Sequence, residues 1–249
     1  MEANRLESKE AREIDYWRTM PSESPESEDV GTLLNKITDA PNLLECLARF
    51  GNVFPEGAEV LELGAGQGWA SCLLKRMHPK ARFTVSDISE YAVASIHKWE
   101  HIFQVKAEKT FACKSYEIPS GDAAFDVIFA FASAHHFGAH RKTLAEIKRV
   151  LKPGGQCLYL HEPCCRRWIY KAAHRRVNRT RDTVPEDVIV FPKLVAIAKE
   201  AGLEVEFIFT PTLNKRLPFE FLYYFAMRKI PFLQQLLPCT GCFRFVRPA

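Results

Sequence analysis

Residues 60–68 read Val-Leu-Glu-Leu-Gly-Ala-Gly-Gln-Gly and leave the chain few folds to choose from. The apolar positions around Glu62 suit a buried parallel strand. Three glycines follow at alternate positions, Gly64, Gly66 and Gly68, and then a helical stretch from Trp69 to Met77. Glycine serves where the backbone turns sharply or comes close to a ligand. A strand, a glycine turn and a helix N-terminus together present free backbone N–H groups to a ligand. The dinucleotide fingerprint spaces its glycines G-x-G-x-x-G. Here the spacing is G-x-G-x-G, with an acid two residues ahead of the first glycine. That spacing argues against a nicotinamide dehydrogenase.

The 249 residues are 47% hydrophobic, enough for a sizeable core and against global disorder. Net charge is only +4 but is unevenly placed. Residues 21–29 form an acidic Pro/Ser-rich stretch that reads as a mobile loop. Residues 166–181 carry Arg166, Arg167, Lys171, Arg175, Arg176, Arg179 and Arg181 without one acid. The N-terminus has no apolar signal core, and no apolar run is long enough to span a bilayer. The eight cysteines are scattered as in a reduced chain, so a cytoplasmic location is expected. Cys239 and Cys242 would make a zinc site only by meeting Cys164 and Cys165 in space; buried small side chains are the simpler reading.

Strand and helix patterns alternate along the chain. Helices are expected at 5–19, 40–50, 69–77, 89–101, 141–151 and 192–201. Strands are expected at 60–63, 82–86, 111–113, 125–131, 156–160, 203–209 and 242–246. Regular alternation of this kind gives an α/β, doubly wound, mostly parallel sheet. Two stretches break the pattern, 163–190 and 211–241. Both leave a strand at its carboxyl end, where ligands bind in such sheets.

Four segments in order, Val60–Gly68, Val85–Asp87, Phe125–Phe137 and Arg149–Leu160, resemble the class I methyltransferases that use S-adenosylmethionine, in particular the small-molecule enzymes of ubiquinone and menaquinone biosynthesis. The resemblance covers about residues 40–162. It implies a seven-stranded Rossmann-like sheet with helical insertions over the active-site face, and S-adenosylmethionine as cofactor. It divides the chain into a helical lid with the acidic loop (1–39), a core (40–210, with the basic insertion 163–190), an aromatic helical insertion (211–241) and a last strand (242–249).

The resemblance also implies residue roles. Glu62 would face the cofactor's ammonium, with Gly64, Ala65, Gly66 and Gly68 forming the loop around its methionine part. Asp87 would accept the ribose hydroxyls; otherwise it caps the helix that follows, though Ser89 can take that cap. Ile88 would pack on the adenine. Lys114 stands where the family often has an acid, so Ser115 or a nearby carbonyl would make the adenine contact. Ala132 and the pair His135-His136 lie at the carboxyl end of the 125–131 strand, beside the methyl group. One imidazole, His136 before His135, would act as base toward an acceptor hydroxyl, the other being structural. No third ligand stands at a recognisable spacing, so no metal is expected. Tyr16 would reach the cofactor from the lid. His161 and Glu162 would face the acceptor.

Arg166, Arg167 and their neighbours suit an anionic group, and the aromatic run 217–237 suits a hydrophobic pocket, a membrane interface or a second subunit. The acceptor expected is a small molecule or a lipid- or glycan-linked precursor, methylated on a hydroxyl before an amine or a carbon and met at an anionic membrane surface, with a homodimer through 211–241 as the alternative use of that segment. The arginines alone motivate nucleic-acid methylation, but the Asn/Asp-Pro-Pro-aromatic motif is absent at the strand end. The Lys114 departure alone motivates a catalytically silent scaffold.

Overall fold

The computed structural model describes residues 2–27, 29–179 and 185–249. The strands are β1 (Glu59–Leu63), β2 (Arg82–Asp87), β3 (Lys109–Ala112), β4 (Phe125–Phe131), β5 (Leu151–Cys165), β6 (Ile189–Val190), β7 (Glu204–Phe209) and β8 (Cys239–Val246). Among the described residues they form one sheet in the order β3-β2-β1-β4-β5-β8-β7, and the two-residue β6 pairs with the end of β5. The strands β1 to β5 run parallel, while β8 is antiparallel to both neighbours. The seven expected strands make up the main path, and β6 is an eighth, too short to give a sequence signal.

Period-two side-chain alternation builds two cores, one on each face. Val60, Phe83, Val127, Phe129 and Leu158 face one side, under α3 (Ala40–Leu47), α4 (Trp69–Met77) and α6 (Ile96–Phe103). Leu61, Ile128, Ala130, Tyr159 and Phe243 face the other, under α7 (His140–Val150) and α9 (Phe191–Glu200). The strands are therefore buried on both sides, which is why they read as near-continuous apolar runs.

Several expectations shift. The helix expected at 89–101 is two, α5 (Glu90–Ala94) and α6, because Ser95 bonds back to the carbonyl of Tyr91 (3.1 Å) and interrupts the ladder. The last strand starts at Cys239, not at 242, because Cys239, Thr240 and Gly241 pair with Cys164, Pro163 and Glu162 of β5. The acidic stretch is a series of turns docked on the core: Glu23 is buried, accepts a hydrogen bond from Gln67 (3.0 Å) and meets Lys36 (3.1 Å) on α2 (Val30–Ile37). The cysteines are free thiols; Cys164 and Cys165 are buried beside one another in β5, as simple packing requires.

Two further elements cover the carboxyl ends of the strands. Helix α1 (Glu2–Thr19) crosses the β1 and β4 ends, and α8 (Tyr170–Val177) follows β5. Helices α10 (Pro218–Lys229) and α11 (Pro231–Leu236) form the expected hairpin between β7 and β8. Arg181 of the basic cluster lies outside the described residues.

Candidate active site

Strand order reverses between β1 and β4, and a crevice opens at their carboxyl ends. A cavity of about 540 Å³ fills it. The glycine loop puts Gly64, Ala65 and Gly66 in its wall beside Asp87 and Ile88. Ser115, Ala132, Ser133, His136 and Glu186 continue it, and Glu13, Tyr16 and Trp17 of α1 close it. The structure thus brings together most of the cofactor-side residues expected from the sequence.

The loop depends on its glycines. Gly64 has φ +67°, and a Cβ there would stand 2.9 Å from the Ser133 hydroxyl. Gly68 has φ +79°, and its Cβ would meet Ile96 at 2.9 Å. Such conformations and contacts admit no larger side chain without strain. Gly68 does not line the cavity; its expected ligand contact gives way to close packing of α4 on α6.

Glu62 is also corrected. Its carboxylate is buried off the cavity and accepts the N–H of Ser71 (3.1 Å) in the first turn of α4, so it holds the helix rather than an ammonium. Burial pushes its pKa up to about 8. Asp87 accepts the N–H groups of Gly66 (2.8 Å) and Ser89 (3.0 Å) and still lines the cavity. Ser89, as expected, caps α5 through the N–H of Ala92. Lys114 pairs with Glu10 of α1 (3.2 Å) and is not itself in the wall, while Ser115 is, bonded to Thr143 (2.9 Å). Ala132 reaches the wall with φ +48°, a strained backbone at the end of β4 that the sequence does not signal.

Glu13, His136 and Glu186 of the wall belong to a cluster of carboxylates and imidazoles. His135 Nδ1 lies 2.7 Å from Glu162, and its Nε2 lies 2.6 Å from Glu186. His136 Nδ1 lies 2.7 Å from Glu13, and its Nε2 lies 3.2 Å from Glu186. Burial alone would lower the pKa of His136, but Glu13 and Glu186 outweigh it and hold it at about 9. His135 is raised in the same way by Glu162 and Glu186, against burial and its neighbour. Glu186 is held ionised against its burial by the two imidazoles. Lys9 faces Glu13, Glu186 and Asp187, and burial lowers its pKa.

Glu162 was expected to face the acceptor. It is fully buried and accepts the N–H groups of Ser133, Ala134 and His135, so it anchors His135 instead. His161 leaves the acceptor side too: it stacks on Phe131, lines neither described cavity, and burial drives its pKa down to about 4. Arg166 is tied to Gln235 of α11 (2.7 and 2.9 Å), away from the cavity. Arg167 lines a second cavity with Lys171, Lys193, Asp187 and His135. Glu13 and Glu186 were missed. Each comes from a distant polar segment with no motif of its own, and only the fold brings it to His136.

Residues 61–159 match the family described as a methyltransferase domain. Among curated relatives, a ubiquinone/menaquinone biosynthesis C-methyltransferase of Desulfotalea psychrophila is 29% identical over 106 residues, 43% of this chain and 42% of that one. The chain therefore spans less than half the length of that relative. Among solved structures, the methyltransferase bound to the Haloferax volcanii Trm112 methyltransferase activator superposes with a TM-score of 0.68 at 17% identity, over 95% of this chain and 97% of its own. The geranyl diphosphate C-methyltransferase of Streptomyces coelicolor gives 0.70 at 11% identity, over 96% and 98%. From β1 through β5 the chain thus matches a methyltransferase domain, and along nearly its whole length it shares the fold of solved methyltransferases.

Proposed function

We propose that the protein moves the methyl group of S-adenosylmethionine to an oxygen of an amphiphilic, anionic acceptor that enters beside His136. One observation carries this: a single cavity is lined both by the glycine loop with Asp87 and by His136 with Glu13 and Glu186. In this reading Asp87 accepts the ribose hydroxyls, Ile88 and Ser115 flank the adenine, and Tyr16 and Trp17 close over the methionine part. Methyl transfer is an in-line displacement in which positioning does much of the work. The C–O bond forms as the C–S⁺ bond breaks, leaving neutral S-adenosylhomocysteine. His136 at the wall takes the acceptor's proton in its neutral form, and because Glu13 and Glu186 hold it at about 9, turnover should rise with pH toward that value.

The acceptor class rests on the second cavity, whose Arg167, Lys171 and Lys193 adjoin His135 and suit an anionic group. It rests also on α10 and α11, where Phe219, Leu222 and Phe232 are 88%, 62% and 68% exposed next to Arg228 and Lys229. An apolar row beside basic residues suits the surface of an anionic membrane. Among the described residues no helix is long and apolar enough to cross one. The nucleic-acid reading loses support, since Arg166 is bonded to Gln235 and Arg176 lies over Tyr223. The silent-scaffold reading loses support, since Lys114 is paired with Glu10 and is not among the residues that line the cavity.

The test is methyl transfer from labelled S-adenosylmethionine to a panel of polar and lipid-linked hydroxyl acceptors, run beside sedimentation with anionic and neutral vesicles. We expect turnover on the lipid-linked acceptors, lost in His136→Gln while cofactor binding remains, and partition to anionic vesicles only. Preference for small polar acceptors with no vesicle binding would overturn the acceptor class. Full turnover in His136→Gln would remove the proton-accepting role.

A further inference from the structure

The cluster at the cavity wall has a geometry that ion pairing alone explains poorly. His135 Nε2 and His136 Nε2 point at the same oxygen of Glu186, at 2.6 and 3.2 Å, with the two ring centres 4.2 Å apart. One ligand atom from each of the three residues lies within 4.8 Å of the others. The side chains are only 6%, 24% and 14% exposed. The remaining nitrogen of His135 is bonded to Glu162, itself locked by three backbone N–H groups. With Nδ1 held by Glu162, Nε2 is the nitrogen turned toward His136 and Glu186. An imidazole backed in this way by a carboxylate is the usual form of a histidine that binds a metal.

Charge leads to the same place. Among the described residues, Glu13, Glu162, Glu186 and Asp187 place four carboxylates near Lys9 and the two imidazoles. A divalent ion bound by the two imidazoles would supply positive charge at one point beside these carboxylates.

We propose that His135, His136 and Glu186 bind a divalent first-row transition-metal ion, with Glu162 as the outer support of His135. Two imidazoles and one carboxylate suit zinc and its neighbours, and three protein ligands leave coordination positions open. Those positions adjoin the cavity wall formed by His136, Glu186 and Glu13. The sequence argument against a metal fails because the third ligand lies 51 residues from His135. Only the ion's use rests on the methyl-transfer reading: with the ion bound, it would take over from His136 and make an acceptor oxygen more acidic beside the methyl donor.

The test is titration of the chelator-stripped full-length protein with cobalt(II), followed by visible absorption and without S-adenosylmethionine. We expect one equivalent bound, with ligand-field bands, displacement by zinc, and no thiolate charge-transfer band in the near ultraviolet. Glu186→Gln and His135→Gln should weaken binding by more than about 100-fold, Glu162→Gln by about 10–100-fold. Glu186→Asp should recover part of the loss, and circular dichroism checks that each variant is folded. Three results would overturn the site: no stoichiometric ion, a thiolate band pointing to the buried cysteines, or unchanged affinity in folded Glu186→Gln. Cobalt binding in a protein that transfers no methyl group would leave the site standing and sink only the proposed activity.

Discussion

Glu62 carries a carboxylate with no exposure to speak of and one backbone N–H for company, from Ser71. Its ordinary pKa of 4.5 is pushed by burial up to about 8. The folded protein therefore keeps a proton that the unfolded chain releases across this window. Stability from this group is fully present below pH 4.5 and falls as pH rises toward 8. Glutamine keeps the acceptor for Ser71 and never ionises. Glu62→Gln should accordingly raise the melting temperature at about pH 8.5 and leave it nearly unchanged at about pH 5. Thermal melts at both values check this, and an equal gain at the two would show that the carboxylate is not neutral in the folded protein. The acid has a structural reason to stand two residues ahead of the loop: it ties the strand end to the start of α4.

Helix α1 is the element that completes the cavity without contributing to the core. Among its described side chains none is fully buried, yet Trp17 packs on Gly66, Glu10 receives the Tyr116 hydroxyl (2.6 Å), and Glu13 meets His136. Few buried apolar contacts and several polar ones mark an element held at low local stability. Trp17→Ala should weaken S-adenosylmethionine binding by about tenfold, or about 1.4 kcal/mol, with little change in melting temperature. Calorimetric titration reads the first quantity and a thermal melt the second; a large loss of melting temperature would make α1 part of the core instead. The sequence could announce β1, β2, β4 and β5 because two-sided burial forces unbroken apolar runs. It could announce Ser89 as a cap because capping is local. It could not announce where α1 docks, since a polar helix has no face that names its partner. Glu186 and Glu13 were illegible for the same reason, and Glu62 was misread because its motif looks the same whether the carboxylate points at a ligand or into a helix.

At the scale of the molecule, the cavity is assembled from pieces far apart in the chain: the loop after β1, Asp87 at the end of β2, Ser115 beyond β3, Ala132 and His136 after β4, Glu186 before β6, and α1. No part of this arrangement survives unfolding, so a ligand that binds it stabilises only the native state. At a concentration of S-adenosylmethionine 100 times its dissociation constant the gain is about 2.7 kcal/mol. For a chain of this size each kcal/mol is worth about 2–4 °C, so the melting temperature should rise by roughly 5–11 °C. NAD should give no rise, because the loop lacks the glycine spacing that receives a pyrophosphate. The shift should also be smaller in Trp17→Ala at the same ligand concentration, since α1 supplies one wall of the site. Parallel melts with S-adenosylmethionine, with NAD and without ligand decide it. A rise with NAD, or none with S-adenosylmethionine, would mean that the crevice between β1 and β4 serves a ligand other than S-adenosylmethionine.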